Sequence, residues 1–352
     1  MVRLFFLVMA LTGVTGLCAQ NVSRKHTGDK HRHYYDSLMQ MNYNRLFPIY
    51  GDRVYKKGFD IPFPFGIMVN NFYGRQDVDI SNVKVGLRTA DSTIGPVDMS
   101  KVLQFGNVTA KAYNVNARID AWILPFLNVY TLLAWIPAAS TYVQLTKPVD
   151  ITSDPQQHGW AWGCGIMGAG GIGPVWVQAD YDVTWADMQL LKNKVVTQVV
   201  GIRAGHTFTS NASAERNISV WCGMMGLFLN NQTVGEIPIA DVFPGITQEK
   251  IDAIKASYHN WYNGLNPVGQ QVADKIVGKL QDKVNGLPAD NTNITYQLDK
   301  RLSSKWAGIL GAQYQFSKKW QLRAESNLIG SRFSMLLSLN YRFLGFKKRT
   351  KN

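Results

Sequence analysis

The segment from Phe333 to Phe343 constrains the fold more than any other part of the chain, because its side chains alternate strictly in character. The positions of one parity are Phe333, Met335, Leu337, Leu339, Tyr341 and Phe343, and all are apolar or aromatic. The opposite parity carries Ser334, Ser338, Asn340 and Arg342, with Leu336 as the exception. Successive side chains of a β-strand point to opposite faces. The segment is therefore predicted to be a strand with one wholly apolar face and one mostly polar face.

The same alternation recurs at 113–123, 175–185 and 320–328, where no charged residue falls on the apolar parity. A charged side chain facing lipid near the middle of a bilayer costs about 2–4 kcal/mol. The pattern thus selects one register, and it suits a closed barrel whose apolar side chains face lipid and whose polar side chains face the lumen.

The N-terminus indicates export. Arg3 precedes an apolar stretch over 4–11, and small residues follow as far as Ala19, which predicts a signal peptide over 1–19. Two alternatives are a retained anchor and a lipid on Cys18, although Leu17 is not the small residue that normally precedes a lipidated cysteine. Charged residues make up 17% of the chain, against about a quarter in soluble proteins. Prolines interrupt 122–139, the apolar run that comes closest to helix length, so strands are the predicted spanning elements.

The ending Tyr341-Arg342-Phe343 resembles the C-terminal signal of bacterial outer-membrane barrels. Over residues 59–346 the chain is similar to bacterial outer-membrane β-barrel proteins, although its motifs are diffuse and a basic tail over 347–352 follows the usual end point. The resemblance implies an all-β fold, an antiparallel up-and-down transmembrane β-barrel. It also implies the outer membrane of a Gram-negative bacterium as the location, with outer-membrane lipid and the barrel assembly machinery as partners.

Candidate strands set the size of the barrel. They cover 65–73, 83–88, 102–105 running on to 108–123, 127–136, 141–146, 160–168, 175–185, 195–208, 218–229, 306–316, 320–328 and 333–343. This gives about 12 strands, or about 10 if the short segments 83–88 and 141–146 are not separate strands, and bacterial barrels have even strand numbers. An even number places both chain ends in the periplasm.

Two stretches of the chain are not predicted to form barrel strands. Residues 20–58 form a polar N-terminal leader. Residues 230–292 contain two helical apolar patterns, one after Thr247 and one after Pro267, which Gly264 helps to separate. The strand order places this two-helix insertion on the extracellular side, where the helices pack on each other or enter the lumen.

Charged residues on the polar parity are the candidate lumen-lining set. They are Arg118, Asp120, Asp180, Asp182, Arg203, Arg323, Glu325 and Arg342. Their nearly balanced signs favour structural pairing inside a narrow barrel, and selection of solutes by charge is the alternative. A wide water-filled pore needs about 16–18 strands, so any path here is narrow.

The sequence does not indicate catalysis or the binding of a cofactor, a metal or nucleic acid. No catalytic motif, cofactor motif or metal-ligand spacing is present, and the histidines His26, His31 and His33 of the leader lack completing ligands. The charge of +13 is concentrated partly at the chain ends, and no nucleic-acid recognition motif accompanies it. Cys164 and Cys222 can pair in an oxidising compartment, although two unpaired cysteines in strands are the favoured interpretation.

Three functions remain open. The leading hypothesis is a narrow, porin-like channel or transporter for small solutes, with 230–292 as its gate. The alternative is a non-conducting surface anchor that binds a partner through 230–292. The third is an outer-membrane lipid hydrolase or acyltransferase. The solute is not identified by the sequence.

Overall fold

The computed structural model describes residues 31–347 except 42, 89–92, 101–102, 148–150, 173–174, 211, 231 and most of 239–292. Within that last range it describes 256, 259–260, 262–264, 266–267, 270 and 274. The predicted signal peptide and the basic tail beyond Lys347 lie outside the described residues, as does most of the predicted two-helix insertion.

Ten strands form a closed antiparallel barrel. They are β1 (Phe65–Arg88), β3 (Gln104–Leu124), β4 (Leu127–Lys147), β6 (Gln156–Ile172), β7 (Val175–Met188), β8 (Val195–Thr209), β9 (Asn217–Leu229), β12 (Trp306–Gln315), β13 (Trp320–Ile329) and β14 (Arg332–Phe343). The order around the ring is β1-β14-β13-β12-β9-β8-β7-β6-β4-β3, and pairing of β3 with β1 closes it.

Smaller elements accompany the barrel. They are the helices α1 (Arg32–Gln40) and α2 (Gly51–Tyr55) and the strands β2 (Thr93–Asp98), β5 (Ile151–Ser153), β10 (Gln232–Pro238) and β11 (Asn293–Leu302). No helix in the described part of the chain combines the length and the apolar character needed to cross a membrane.

The predicted all-β antiparallel barrel is confirmed, but the preferred count of about 12 strands was wrong and the alternative of about 10 was right. The segments 83–88 and 141–146 are not separate strands, because they continue β1 and β4 beyond the barrel wall. Strand β4 runs through Pro137 at a register shift between Ile136 and Ala139. A bulge tolerates proline because it leaves a backbone group out of the ladder.

The barrel is apolar outside and polar inside. Outward side chains such as Ile119 and Leu133 are 59% and 57% exposed, whereas Ser338 and Asn340 on the inner face are 1% and 3% exposed. This is the reverse of a soluble protein, and it is the arrangement that a lipid bilayer requires of a spanning barrel.

The end of the barrel where β1 begins and β14 ends is called here the terminal end, and residues 31–64, the N-terminal cap, lie across it. The cap has its own small core of Tyr35, Leu38, Val54, Tyr55 and Ile61. Backbone hydrogen bonds join it to the barrel, from Ile49 N to Ile123 O at 2.9 Å and from Trp122 N to Pro64 O at 2.8 Å. The predicted polar leader is thus a folded segment from residue 31 onward.

The opposite, outer end carries an extramembrane hairpin. Strands β10 and β11 pair along their lengths, and β11 pairs with the extension of β1. Pro238, the last residue of β10, lies directly opposite Asn293, the first residue of β11. The intervening chain therefore leaves and re-enters the sheet at one point. Among its described residues, the Tyr262 hydroxyl donates to the Asp274 carboxylate at 2.8 Å, which links the two regions predicted as helices.

Candidate functional site

The eight candidate side chains occupy the barrel interior at its middle and terminal end. They come from β3, β7, β8, β13 and β14. Together with Asn128, Tyr130 and Trp221 they form two adjoining hydrogen-bonded groups, which we call the lumen belt. It contains four arginines and four carboxylates, so its formal charge is zero when every acid is ionised.

Glu325 is the centre of one half of the belt. Its carboxylate accepts hydrogen bonds from Arg203 Nε at 2.8 Å and Nη2 at 2.9 Å. It also accepts from Arg323 Nη2 at 2.7 Å and from Trp221 Nε1 at 2.8 Å. Arg203 donates in addition to Asp180. Since β8 and β13 are not neighbours in the ring, the pairing of Arg203 with Glu325 crosses the lumen.

Asp120 is the centre of the other half. It accepts from Arg342 Nη2 at 3.0 Å and from Asn128 Nδ2 at 2.8 Å. The Arg118 guanidinium donates to Asn128 Oδ1 at 3.2 Å and lies 3.6 Å from the centre of the Tyr130 ring. This stacking is a cation–π contact.

A hydrogen bond from the Tyr130 hydroxyl to Asp182 joins this half to β7. Asp182 and Asp180 share the inner face of that strand, so the two halves of the belt meet there. The structure therefore places all eight predicted residues in two hydrogen-bonded groups, which adjoin at Asp180 and Asp182 on β7.

Sequence reasoning missed the neutral members of the belt, Asn128, Tyr130 and Trp221. The glycines of β6 gave a partial signal, because 160–168 contains glycines that predict a bend or close packing. A Cβ atom added at Gly165 would lie 2.5 Å from both the Tyr130 ring and Asp182 Oδ1. The missing side chain on β6 thus provides the space that the belt occupies.

Polar contacts hold the N-terminal cap against the terminal end. Asp60 accepts from the Tyr34 hydroxyl at 2.7 Å and pairs with Lys318 Nζ at 2.9 Å. Burial, reinforced by the charge of Asp60, raises the pKa of Tyr34 well above its usual range. Arg342 of the belt donates from Nε to Phe63 O at 2.9 Å. The cap and the belt are therefore directly connected.

An apolar cluster occupies the outer end of the lumen. Val78, Val108 and Leu302 form its buried centre, and Leu227 and Leu229 of β9 pack against them. Strand β9 stands five places from β3 around the ring, so this contact reaches across the barrel. We call these five residues the outer apolar cluster. The cap, the belt and the outer apolar cluster thus occupy successive levels of the barrel between its two ends.

The remaining candidates lie elsewhere. Cys164 and Cys222 are free and exposed, on strands β6 and β9 that are not neighbours. Among the described residues, no group of three or more histidine, cysteine, aspartate or glutamate side chains is arranged to hold a metal ion.

Comparison with known proteins gives a likeness of fold. No family model matches the chain. No curated protein matches it.

Among solved structures, the chain is similar to the β domain of the Bordetella autotransporter BrkA, with a TM-score of 0.36 and 11% identity over 80% of this chain and 100% of that chain. It is also similar to the translocator domain of the autotransporter NalP from Neisseria meningitidis, with a TM-score of 0.33 and 11% identity over 80% and 88%. For the outer membrane protein OprG from Pseudomonas aeruginosa the TM-score is 0.32 and the identity 8% over 81% and 100%. The solved structures that this chain resembles are bacterial outer-membrane β-barrels.

Proposed function

We propose that the protein is a β-barrel of the bacterial outer membrane that anchors an extramembrane binding element and keeps its own lumen closed. The observation that carries this proposal is the lumen belt. Its central ion pair is desolvated, since the side chains of Arg203 and Glu325 are only 6% and 4% exposed. Charges that line an open aqueous path stay hydrated, whereas these are satisfied by one another.

Energetics support the closed lumen. Moving through the belt requires separating buried, hydrogen-bonded charges, and leaving one such charge unpaired costs about 3–5 kcal/mol. A solute would also have to pass the N-terminal cap and the outer apolar cluster. A barrel of about ten strands has an interior that side chains can fill, unlike a porin of about 16–18 strands.

The outer hairpin supports the anchoring role. Strands β10 and β11 extend the sheet beyond the barrel, and Glu236 ties the hairpin to its surroundings through Arg88 at 3.2 Å and Lys192 at 2.9 Å. The chain between Pro238 and Asn293 is thus presented from a fixed platform. We infer that residues 239–292 contact the partner on the extracellular side.

A narrow channel or transporter for small solutes is the second candidate. The observation in its favour is that the middle of the lumen is charged on several strands, which is the kind of lining that selects ions. It requires the cap and the outer apolar cluster to move. No arrangement among the described residues favours the third alternative, a lipid-modifying enzyme.

Single-channel recording separates the two candidates. The full chain is folded in detergent and inserted into a planar bilayer, and insertion is verified by protection of the barrel from added protease. A closed anchor leaves the current silent. Discrete, reproducible conductance steps from the inserted protein would overturn the proposal and establish the channel.

A shortened variant tests whether residues 239–292 are separable from the barrel that anchors them. Because Pro238 and Asn293 lie opposite each other, a two-residue Asn-Gly turn can replace 239–292 without moving either strand. The shortened chain is expected to fold and insert like the full chain. Failure of the barrel to assemble would show that 239–292 is part of the barrel's own stability and not a separate binding element.

A further inference from the structure

Arg332 is the inner arginine that the lumen belt does not include. It is the first residue of β14, at the outer end, and it lies opposite Gln76 of β1. Its side chain reaches across the inner face of β13 and β12 to donate from Nη2 to Met225 O of β9 at 2.9 Å. It is 7% exposed. A full positive charge is therefore held inside the barrel between the belt and the outer apolar cluster.

The partners of this guanidinium are incomplete. Its Nε and Nη1 atoms are buried and have no hydrogen-bond partner. Three other inner arginines, Arg203, Arg323 and Arg342, each form an ion pair with a carboxylate. Arg118 donates to Asn128 and stacks on the Tyr130 ring, and in Arg118 and Arg323 only the Nε atom is buried without a partner. A buried charge is normally paired, since an isolated one is strongly unfavourable.

Among the described residues, Arg332 forms no ion pair with a carboxylate. The nearest inner side chains by strand register are Gln76 and Asn327, which are neutral, and Ile309, which is apolar. Asn327 and Ile309 are each 2% exposed. Each belt carboxylate is already engaged by its own donors. The donors of Arg332 thus face a polar but uncharged site.

A second cation stands on the outer side of this site. Lys300 of β11 has the same parity as the buried Leu298 and Leu302, so it lies on the inward face of the hairpin. Its partner on β1 is Ile80, four residues beyond Gln76, or about 13 Å along the strand. Burial lowers the pKa of Lys300. Arg332 and Lys300 therefore place positive charge inside the outer end of the barrel, whereas the belt is formally neutral.

We propose that Arg332 is the binding site for a small anion of carboxylate or halide size, which accepts hydrogen bonds from Nε and Nη1 inside the outer end of the barrel. Size is limited because the belt lies on one side and the outer apolar cluster on the other. Lys300 adds a positive potential that draws anions toward this end. The site goes beyond the anchoring role and does not depend on whether the barrel conducts.

The direct test locates a heavy anion. The full chain is folded in sodium bromide, so that the anion is present while the interior forms, and its crystal structure is solved with anomalous data. We expect a bromide peak within hydrogen-bond distance of Arg332 Nε or Nη1. An ordered Arg332 without such a peak would overturn the proposal.

Unfolding gives an independent test, because a ligand that binds only the folded state raises its stability by mass action. Urea midpoints are compared in sodium acetate and in a bulky sulfonate salt at equal ionic strength. Acetate is expected to raise the midpoint of the full chain and of Arg75→Gln, the matched control that removes an outward arginine at the same height. The shift is expected to disappear in Arg332→Gln.

An unchanged acetate shift in Arg332→Gln would place the binding elsewhere and refute the site. If Arg332→Gln does not fold, Arg332→Lys keeps the charge but loses Nε and Nη1, and it is expected to reduce the shift. The bromide experiment needs no variant, so either result remains decisive.

Discussion

Replacing Glu325 by alanine tests whether the barrel interior is dry. The carboxylate accepts from two arginines and from Trp221, so Glu325→Ala leaves Arg323 without its ion pair and Arg203 with only Asp180. Removing one partner of a buried ion pair costs about 3–5 kcal/mol. Since each factor of ten in an equilibrium constant is about 1.4 kcal/mol, the unfolding constant is expected to rise by between two and four powers of ten.

The assay is reversible urea unfolding of the barrel in lipid vesicles, followed by tryptophan fluorescence. Asp79→Ala is the matched control, since Asp79 is an exposed acid on the outward face of β1, and it is expected to change stability by less than about 0.5 kcal/mol. A loss below about 1 kcal/mol for Glu325→Ala would be the value of a solvated pair. That result would mean that water reaches the belt, and the argument for a closed lumen would fail.

Three further predictions use the same barrel. Leu337→Arg places a charge on the lipid-facing side of β14, where Leu337 is 46% exposed, and it is expected to lower the unfolding free energy by about 2–4 kcal/mol in vesicles; an effect near zero would place this face away from lipid. Lys318→Ala removes the ion pair between the barrel and the N-terminal cap, so a protease is expected to cut the cap faster than in the control Lys319→Ala, with the barrel intact; equal rates would show that this pair does not hold the cap. The hydrogen bond from Lys192 lowers the pKa of Glu236, so its contribution to the outer hairpin is present above the ordinary glutamate pKa and is lost as the pH falls through the lowered value. Amide exchange in β10 and β11, corrected for the intrinsic effect of pH, is expected to speed up over that acid range, and unchanged protection would contradict the role of Glu236.

The sequence determined the faces of the strands and the membrane character of the barrel. Side-chain direction in a strand follows from a period of two, which is a local property of the chain. The alternation at 113–123, 175–185 and 333–343 therefore predicted which side chains point inward, including Asp120, Asp180 and Arg342. The cost of placing a charge in lipid fixed the register, so the reversed polarity of the barrel was also available from the sequence.

The number of strands in the barrel was only partly predictable from the sequence. The segments 83–88 and 141–146 have strand character, but a local pattern does not tell a new strand from the continuation of an earlier one. Pairing decided this, because β1 and β4 run on beyond the barrel wall to meet other extramembrane strands. The choice of ten strands is a consequence of how the ring closes.

Only the tertiary structure decided which inward residues meet. Arg203 and Glu325 are 122 positions apart, and Arg342 and Asp120 are 222 positions apart. Such pairs depend on strand tilt, on stagger and on closure of the ring, and none of these is encoded in the spacing of neighbouring residues. The same holds for the N-terminal cap, whose few apolar residues gain a core only when α1, α2 and the chain before β1 fold over the terminal end. The sequence thus sets the direction of each side chain, and the closed ring sets its partner.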